Sequence, residues 1–180
     1  MTDAPVVVAR SERASEIVAT ARRILEDEGR EALTMRRLAD EVGMRAPSLY
    51  KHFPAKRHVE AALVEDAFVE MGEVLHRAVR RPGRRGPVAA VLGRYRDLAL
   101  TNPHLYRLAT GPGLARDLLA PGLEEWAGEP FFLATGEPYL AQAMWAFAHG
   151  MAILEIEGRF PAGSDLERTW RSGAEAFSRW

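Results

Sequence analysis

The stretch from Leu33 to Phe53 limits the possible folds more than any other part of the chain. Met35, Leu38, Ala39 and Val42 recur at helical spacing behind Thr34, whose hydroxyl is suited to accept from first-turn amides. Gly43 supplies the left-handed residue that ends such a helix, and Pro47 is suited to open a second one at its first helical position. A second helix this short cannot hold itself together. Leu49 and Phe53 must therefore dock inward, which leaves Ser48, Tyr50, Lys51 and His52 facing outward. Two short helices around a tight turn make a helix-turn-helix, the motif that lays its second helix in a DNA major groove.

The resemblance extends well beyond the turn. Ser15-Glu16-Ile17, Glu28-Gly29, Leu33-Thr34, Leu38-Ala39, Val42-Gly43-Met44, Ser48-Leu49-Tyr50-Lys51-His52-Phe53 and Lys56 together resemble the DNA-binding domain of the tetracycline-repressor (TetR) family of bacterial transcriptional regulators. That resemblance implies a contact segment opened by Thr34. Arg36, Arg45, Ala46, Pro47 and Ser48 would face base edges, and Tyr50, Lys51, His52 and Lys56 would face phosphates. Ala46 stands where many members carry a polar residue, so a thymine methyl is the expected contact there.

Charge is distributed as a DNA-reading head on a sensor body would require. The formal net charge is only −1 over 180 residues, which excludes a globally basic, histone-like chain. Residues 29–58, however, carry seven basic side chains (Arg30, Arg36, Arg37, Arg45, Lys51, Lys56, Arg57) against three acids, while residues 59–180 carry thirteen against sixteen. Both lysines of the chain, Lys51 and Lys56, fall in the basic segment. Without cysteine there is neither a disulfide framework nor a thiolate metal site. Residues 1–10 lack the basic flank and apolar span of a signal or membrane segment and read as a loose arm. A soluble, cytoplasmic chain with no membrane association is expected.

The period is helical nearly throughout, so the class is all-α, with a helix-turn-helix domain over 11–71 and a helical ligand-binding and dimerisation domain over 72–180. Ile17, Val18, Ala21, Ile24 and Leu25 form the inward stripe of a first helix ended by Gly29. Lys56 to about Arg80 reads as one long connecting helix. Arg81–Pro87, with two Pro, two Gly and three Arg, reads as a solvated loop, and Val88 to Thr101 resumes a helix that Asn102-Pro103 ends. Nine of the 28 residues of 111–138 are Gly or Pro, so any helix there should be short and broken. Its Trp126, Phe131 and neighbours suit either the wall of a small-molecule pocket or a loop packed on the core.

From Pro138 to Glu157 the pattern is apolar nearly all round, which predicts a buried helix. Its Trp145, His149-Gly150 and Leu154-Glu155, with Gly158 and Phe160, resemble the Trp/His-Gly sensor subtype of the same family. Gln142, Trp145 and His149 share a face and need a partner: a ligand, each other, or a second subunit. Ser164-Asp165-Leu166-Glu167 reads as a capping box opening a last helix with Leu166, Trp170, Gly173, Ala174 and Phe177 on one face. On its other face Glu167–Arg171 and Glu175–Arg179 are expected to pair. The last two helices, ending in Phe177 and Trp180, suit a homodimeric four-helix interface, which the resemblance also implies.

Enzymatic chemistry finds no support. A phosphate loop, a nucleophile elbow and a His pair at i,i+4 are all missing, and no cofactor or metal is expected. Glu73-Val74-Leu75-His76 has di-iron spacing without its second copy, and ion pairing on a solvated face explains it better. The expected function is that of a homodimeric repressor on a near-palindromic operator, released by an apolar or amphipathic small molecule held near Trp126, Phe131, Gln142, Trp145 and His149. The competing reading is a helical ligand-binding or scaffold protein without operator binding. Loss of Arg36, Tyr50 or Lys56 would favour that reading, and all three are present.

Overall fold

A helix of 25 residues, α4 (Lys56–Arg80), forms the longest element of the computed structural model, which describes residues 4–179. Before it lie α1 (Glu12–Glu28), α2 (Met35–Glu41) and α3 (Ala46–His52); after it come α5 (Gly86–Thr101), α6 (Pro103–Thr110), α7 (Leu123–Thr135), α8 (Pro138–Ile156) and α9 (Leu166–Phe177). Short 3-10 turns occupy Gly83–Arg85 and Arg116–Leu118, and no strand occurs among the described residues, so the class is all-α as expected. Trp180 and residues 1–3 of the arm lie outside the described residues.

The helices group into two units. One comprises Pro5–Phe68 with Asn102–Leu123, so α6 packs with the helix-turn-helix; the other holds Val69–Thr101 and the described residues from Glu124 on. In the first unit Ile17, Val18, Ala21, Ile24 and Leu25 of α1 are buried, and Ser11 Oγ accepts from the Ala14 amide to fix that helix's start. Glu26 of α1 accepts from the His104 and Leu105 amides at 3.3 and 2.6 Å, satisfying free N–H groups at the start of α6. Arg10, expected at the end of a loose arm, is instead held on α4 by Asp66 at 2.6 Å, Glu65 at 3.1 Å and the Ala62 carbonyl at 3.0 Å.

The second unit corrects two expectations together. Residues 123–135 form one unbroken helix despite Gly128 and Pro130. Proline has no N–H, so the carbonyl four residues back, that of Trp126, loses its helical partner. His76 supplies the replacement, with Nε2 lying 3.1 Å from Trp126 O; because a carbonyl only accepts, Nε2 carries the proton. The imidazole stacks on the Trp126 indole at 5.0 Å and is 3% exposed, so His76 does not lie on the solvated face that its Glu-x-x-His spacing suggested. Gly72 lets the indole lie against α4, since a Cβ there would come within 2.0 Å of a ring carbon. Tyr95 of α5 meets Phe131 edge-on at 5.5 Å.

Three helices are joined around Glu155 of α8. Arg96 of α5 donates to both its oxygens at 2.6 and 3.0 Å, and the Trp170 indole of α9 donates at 2.9 Å. Burial pushes the Glu155 carboxyl up, but the Arg96 hydrogen bonds, the Trp170 hydrogen bond and the Arg96 charge outweigh it and hold the group below the usual carboxylate range. Arg96 also takes Glu167 at 2.8 Å, so Glu167 pairs across to α5 instead of with Arg171, and Glu175–Arg179 forms no ion pair among the described residues. The N-cap of α9 is Asp165, which accepts from the Arg168 amide, one residue later than the expected Ser164.

Two outcomes test this packing. His76→Phe keeps the stack but strips Trp126 O of its donor, and should cost about 1–3 kcal/mol in urea unfolding. In a Pro130→Ala background, where an amide N–H returns to that carbonyl, the cost should shrink; additive losses would contradict the arrangement. For Glu155, whose pKa is depressed on folding, the stabilisation is present above the unfolded carboxylate value of about 4.3 and lost as pH falls through the folded value. The stability gap between the native chain and Glu155→Gln should therefore narrow from pH 7 to pH 3.

Candidate nucleic-acid interface and sensor residues

The turn between α2 and α3 is built as its residues require. Thr34 Oγ1 accepts from the Arg37 amide at 3.1 Å, Gly43 takes φ +65°, and the Met44 amide closes the turn onto Ala39 O at 2.9 Å. Pro47 occupies the second position of α3, behind Ala46, and not the first. Leu38 and Leu49 are fully buried and Phe53 nearly so, which fixes the roll of α3 about its axis. Outward it presents Arg45, Ala46, Pro47, Tyr50, Lys51 and His52, with Ser48 half-buried beside them.

Side-chain partners divide the seven basic residues of this segment into two sets. Arg30 is forked on Glu60 at 2.9 and 3.1 Å, and Arg37 is held by Glu28 at 3.0 Å and by Glu41. Arg57 meets Asp117 at 2.5 Å, and Lys56 donates to Arg30 O at 2.9 Å with Glu60 at 3.7 Å. Hydrogen bonds from Arg37 and then Arg23 hold the Glu41 carboxyl below the usual carboxylate range. Arg36, Arg45 and Lys51 have no such partner among the described residues, and all three are exposed. Of the residues expected to face DNA, then, the start of α3, Arg36, Tyr50, Lys51 and His52 are free, whereas Lys56 is partly committed to holding the segment after α1.

The five expected ligand residues do not come together in one site. Trp126 and Phe131 of α7 face inward, on His76 and Tyr95. Gln142 and Trp145 are exposed on α8; Trp145 is 49% open and stacks on a half-buried His149 at 6.0 Å, and burial holds the His149 imidazole below its ordinary value. The expectation of a helix buried all round fails for this reason. Ala141, Met144, Ala148, Met151 and Ala152 are covered, while Tyr139, Gln142, Ala143, Trp145 and Ala146 are left open in the single chain. Ala174 faces its own chain and Phe177 packs on Phe147 at 5.7 Å, so the open surface belongs to α8 and not to the expected α9 face. His76, whose Nδ1 is buried without a partner, is the residue near Trp126 that sequence reasoning missed. Pro130 four residues after Trp126 was the signal that a donor was needed.

Residues 17–63 match the family model described as bacterial regulatory proteins, tetR family, and residues 88–177 match the Tetracyclin repressor-like, C-terminal domain. The Trp/His-Gly subtype stays a resemblance carried by the α8 residues. The nucleoid occlusion factor SlmA of Glaesserella parasuis is 30% identical over 49% of this chain, a match that spans 44% of that protein. The uncharacterized HTH-type transcriptional regulator Rv0681 of Mycobacterium tuberculosis is 28% identical over 79% of this chain and 69% of its own length. Among solved structures, a protein of unknown function from Rhodococcus sp. RHA1 shares the fold with a TM-score of 0.80 at 24% identity, covering 94% of this chain and 95% of that one. With both halves matched and the helix-turn-helix in place, the chain belongs to the TetR family of bacterial regulatory proteins, whose members are DNA-binding transcription factors and not enzymes.

Proposed function

We propose that this chain is a cytoplasmic, homodimeric repressor that binds a near-palindromic operator and leaves it when an apolar or amphipathic small molecule binds the sensor. The observation that carries the DNA reading is the set of three uncommitted cations, Arg36, Arg45 and Lys51, around an α3 face that also exposes Tyr50 and His52. Arg36 and Arg45 serve as base-edge donors, Ala46 and Pro47 as apolar contacts, and Tyr50, Lys51 and His52 as phosphate contacts, with Lys56 bracing the segment.

The open face of α8 supports dimerisation. Tyr139 is 78% and Trp145 49% exposed, and small Ala143 and Ala146 between them would let a second helix approach closely. We assign Gln142 and Trp145 to that face and keep Trp126 and Phe131, with His76 added, on the ligand side. The unpartnered His76 Nδ1 would accept from an effector hydroxyl or amide. A ligand acts only by favouring the arrangement that does not bind DNA, and a coupling of about 1–3 kcal/mol changes DNA affinity roughly 5- to 150-fold. No described helix is long and apolar enough to cross a membrane.

Gel-shift titration on operator variants separates the roles. Arg36→Ala should cost about 1–3 kcal/mol and relax preference at one base pair per half-site, while Lys51→Ala should weaken all sequences alike and lower the salt slope by about 1. Unchanged affinity and preference for Arg36→Ala would overturn its assignment. Light scattering tests the dimer: the native chain should show the mass of two subunits at micromolar concentration, and Ala146→Glu should show one and lose operator affinity. A single-subunit mass for the native chain would contradict the dimer.

A further inference from the structure

We infer that the groove between α5 and α9 is a binding site for an amphipathic organic anion, one with a flat apolar body and a carboxylate or sulfonate head. The groove holds about 460 Å³ and is lined by Ala89, Leu92, Gly93, Trp170 and Ala174 along its floor. That volume lies within the range of roughly 300–1,000 Å³ typical of small-molecule sites. The two helices run in opposite senses: Arg96, late in α5, meets Glu167 in the first turn of α9, and Arg85, just ahead of α5, lines the same groove as Arg179, just past α9. One end is therefore fixed and neutralised. There Glu155 and Glu167 hold Arg96, which lies 5.7 Å over the Trp170 ring, and the Trp170 indole N–H is bonded to Glu155, so the aromatic wall is set in place before any ligand arrives.

The rest of the groove is cationic. Arg85, Arg171 and Arg179 line it without an ion-pair partner among the described residues, and Glu175 is the one lining carboxylate outside the Arg96 cluster. Three unpaired guanidinium groups beside an apolar floor, on a chain whose overall formal charge is −1, complement an anionic head attached to an apolar body. The head would sit between Arg85 and Arg179, and the body would lie over Ala89, Leu92 and Ala174 against Trp170, with Arg171 further along the groove. No α8 residue lines this groove, and neither do Trp126, Phe131 or His76. The inference therefore concerns a site apart from both the dimer face and the ligand side proposed above, and it stands whether or not binding there releases DNA.

The test uses 2-naphthoate and its neutral counterpart 2-naphthylmethanol with the full chain, followed by calorimetry. Naphthoate should bind at least about tenfold more tightly than the alcohol, and raising salt should erode the difference. Arg85→Gln with Arg179→Gln, both exposed positions, should weaken naphthoate about tenfold or more while leaving the alcohol unchanged. Gly93→Phe should abolish both, because a Cβ at Gly93 meets nothing within 4 Å and the ring would fill the groove without disturbing the helix. Equal affinity for anion and alcohol, no naphthoate binding below millimolar concentration, or native affinity in either the double Arg variant or Gly93→Phe would overturn the proposal. Because these are binding measurements without DNA, their failure leaves the operator reading untouched, and loss of operator binding leaves them untouched in turn.

Discussion

A recognition helix of seven residues has no stability of its own, and this constraint governs the rest of the first unit. Side-chain docking must hold α3. Leu49 and Phe53 insert into a core that already contains Leu33, Leu38 and the inward stripe of α1, so the outward face of α3 is fixed by what its inward face buries. Burial of Leu49 alone contributes on the order of 1.5–3 kcal/mol. Thr34 and Gly43 then set where α2 begins and ends, and the turn to α3 follows from the Met44 amide closing onto Ala39. The functional surface is the residue of this packing, the part of α3 that the core cannot use.

Electrostatics sorts that surface. Within the segment carrying seven basic residues, Glu28, Glu41, Glu60 and Asp117 engage Arg30, Arg37 and Arg57, and Glu60 also lies near Lys56. These pairs are largely exposed and contribute little to stability individually. They do decide which cations remain available. Arg36 and Arg37 are adjacent in sequence but differ in role, because a helix points successive side chains about 100° apart and Glu28 of α1 and Glu41 of α2 both reach Arg37. Glu26 on the start of α6 ties that helix to α1, so a movement of α6 would be felt at the head through a hydrogen-bonded contact.

Much of this was legible in the sequence where one local rule decides the outcome. The Thr34 cap, the Gly29 and Gly43 stops, the extent of α4 and the burial of Leu49 and Phe53 depend on neighbours within a turn or two. The misses are places where a distant residue changes a local rule. Gly128 and Pro130 predict a broken helix, but His76, some fifty residues away, supplies the hydrogen bond that Pro130 removes, and α7 continues. Glu167 is spaced to pair with Arg171, yet Arg96 competes for it and wins. The apolar circumference of α8 predicts burial all round, but the helices packed on it cover only the side that carries Ala141, Met144, Ala148, Met151 and Ala152. The freedom of Arg36 and the groove lined by Arg85 and Arg179 left no trace in spacing, since each depends on which helices lie side by side.

In the proposed function the exposed face of α3 reads DNA as one half of a two-fold pair. Selection of binding sites from random duplex DNA, followed by hydroxyl-radical footprinting of the enriched sequence, tests it most directly. An inverted repeat should be enriched and protected in two patches whose centres lie one helical turn, ~34–36 Å, or a multiple of it apart. Enrichment of no sequence, or a single protected patch without inverted symmetry, would contradict it.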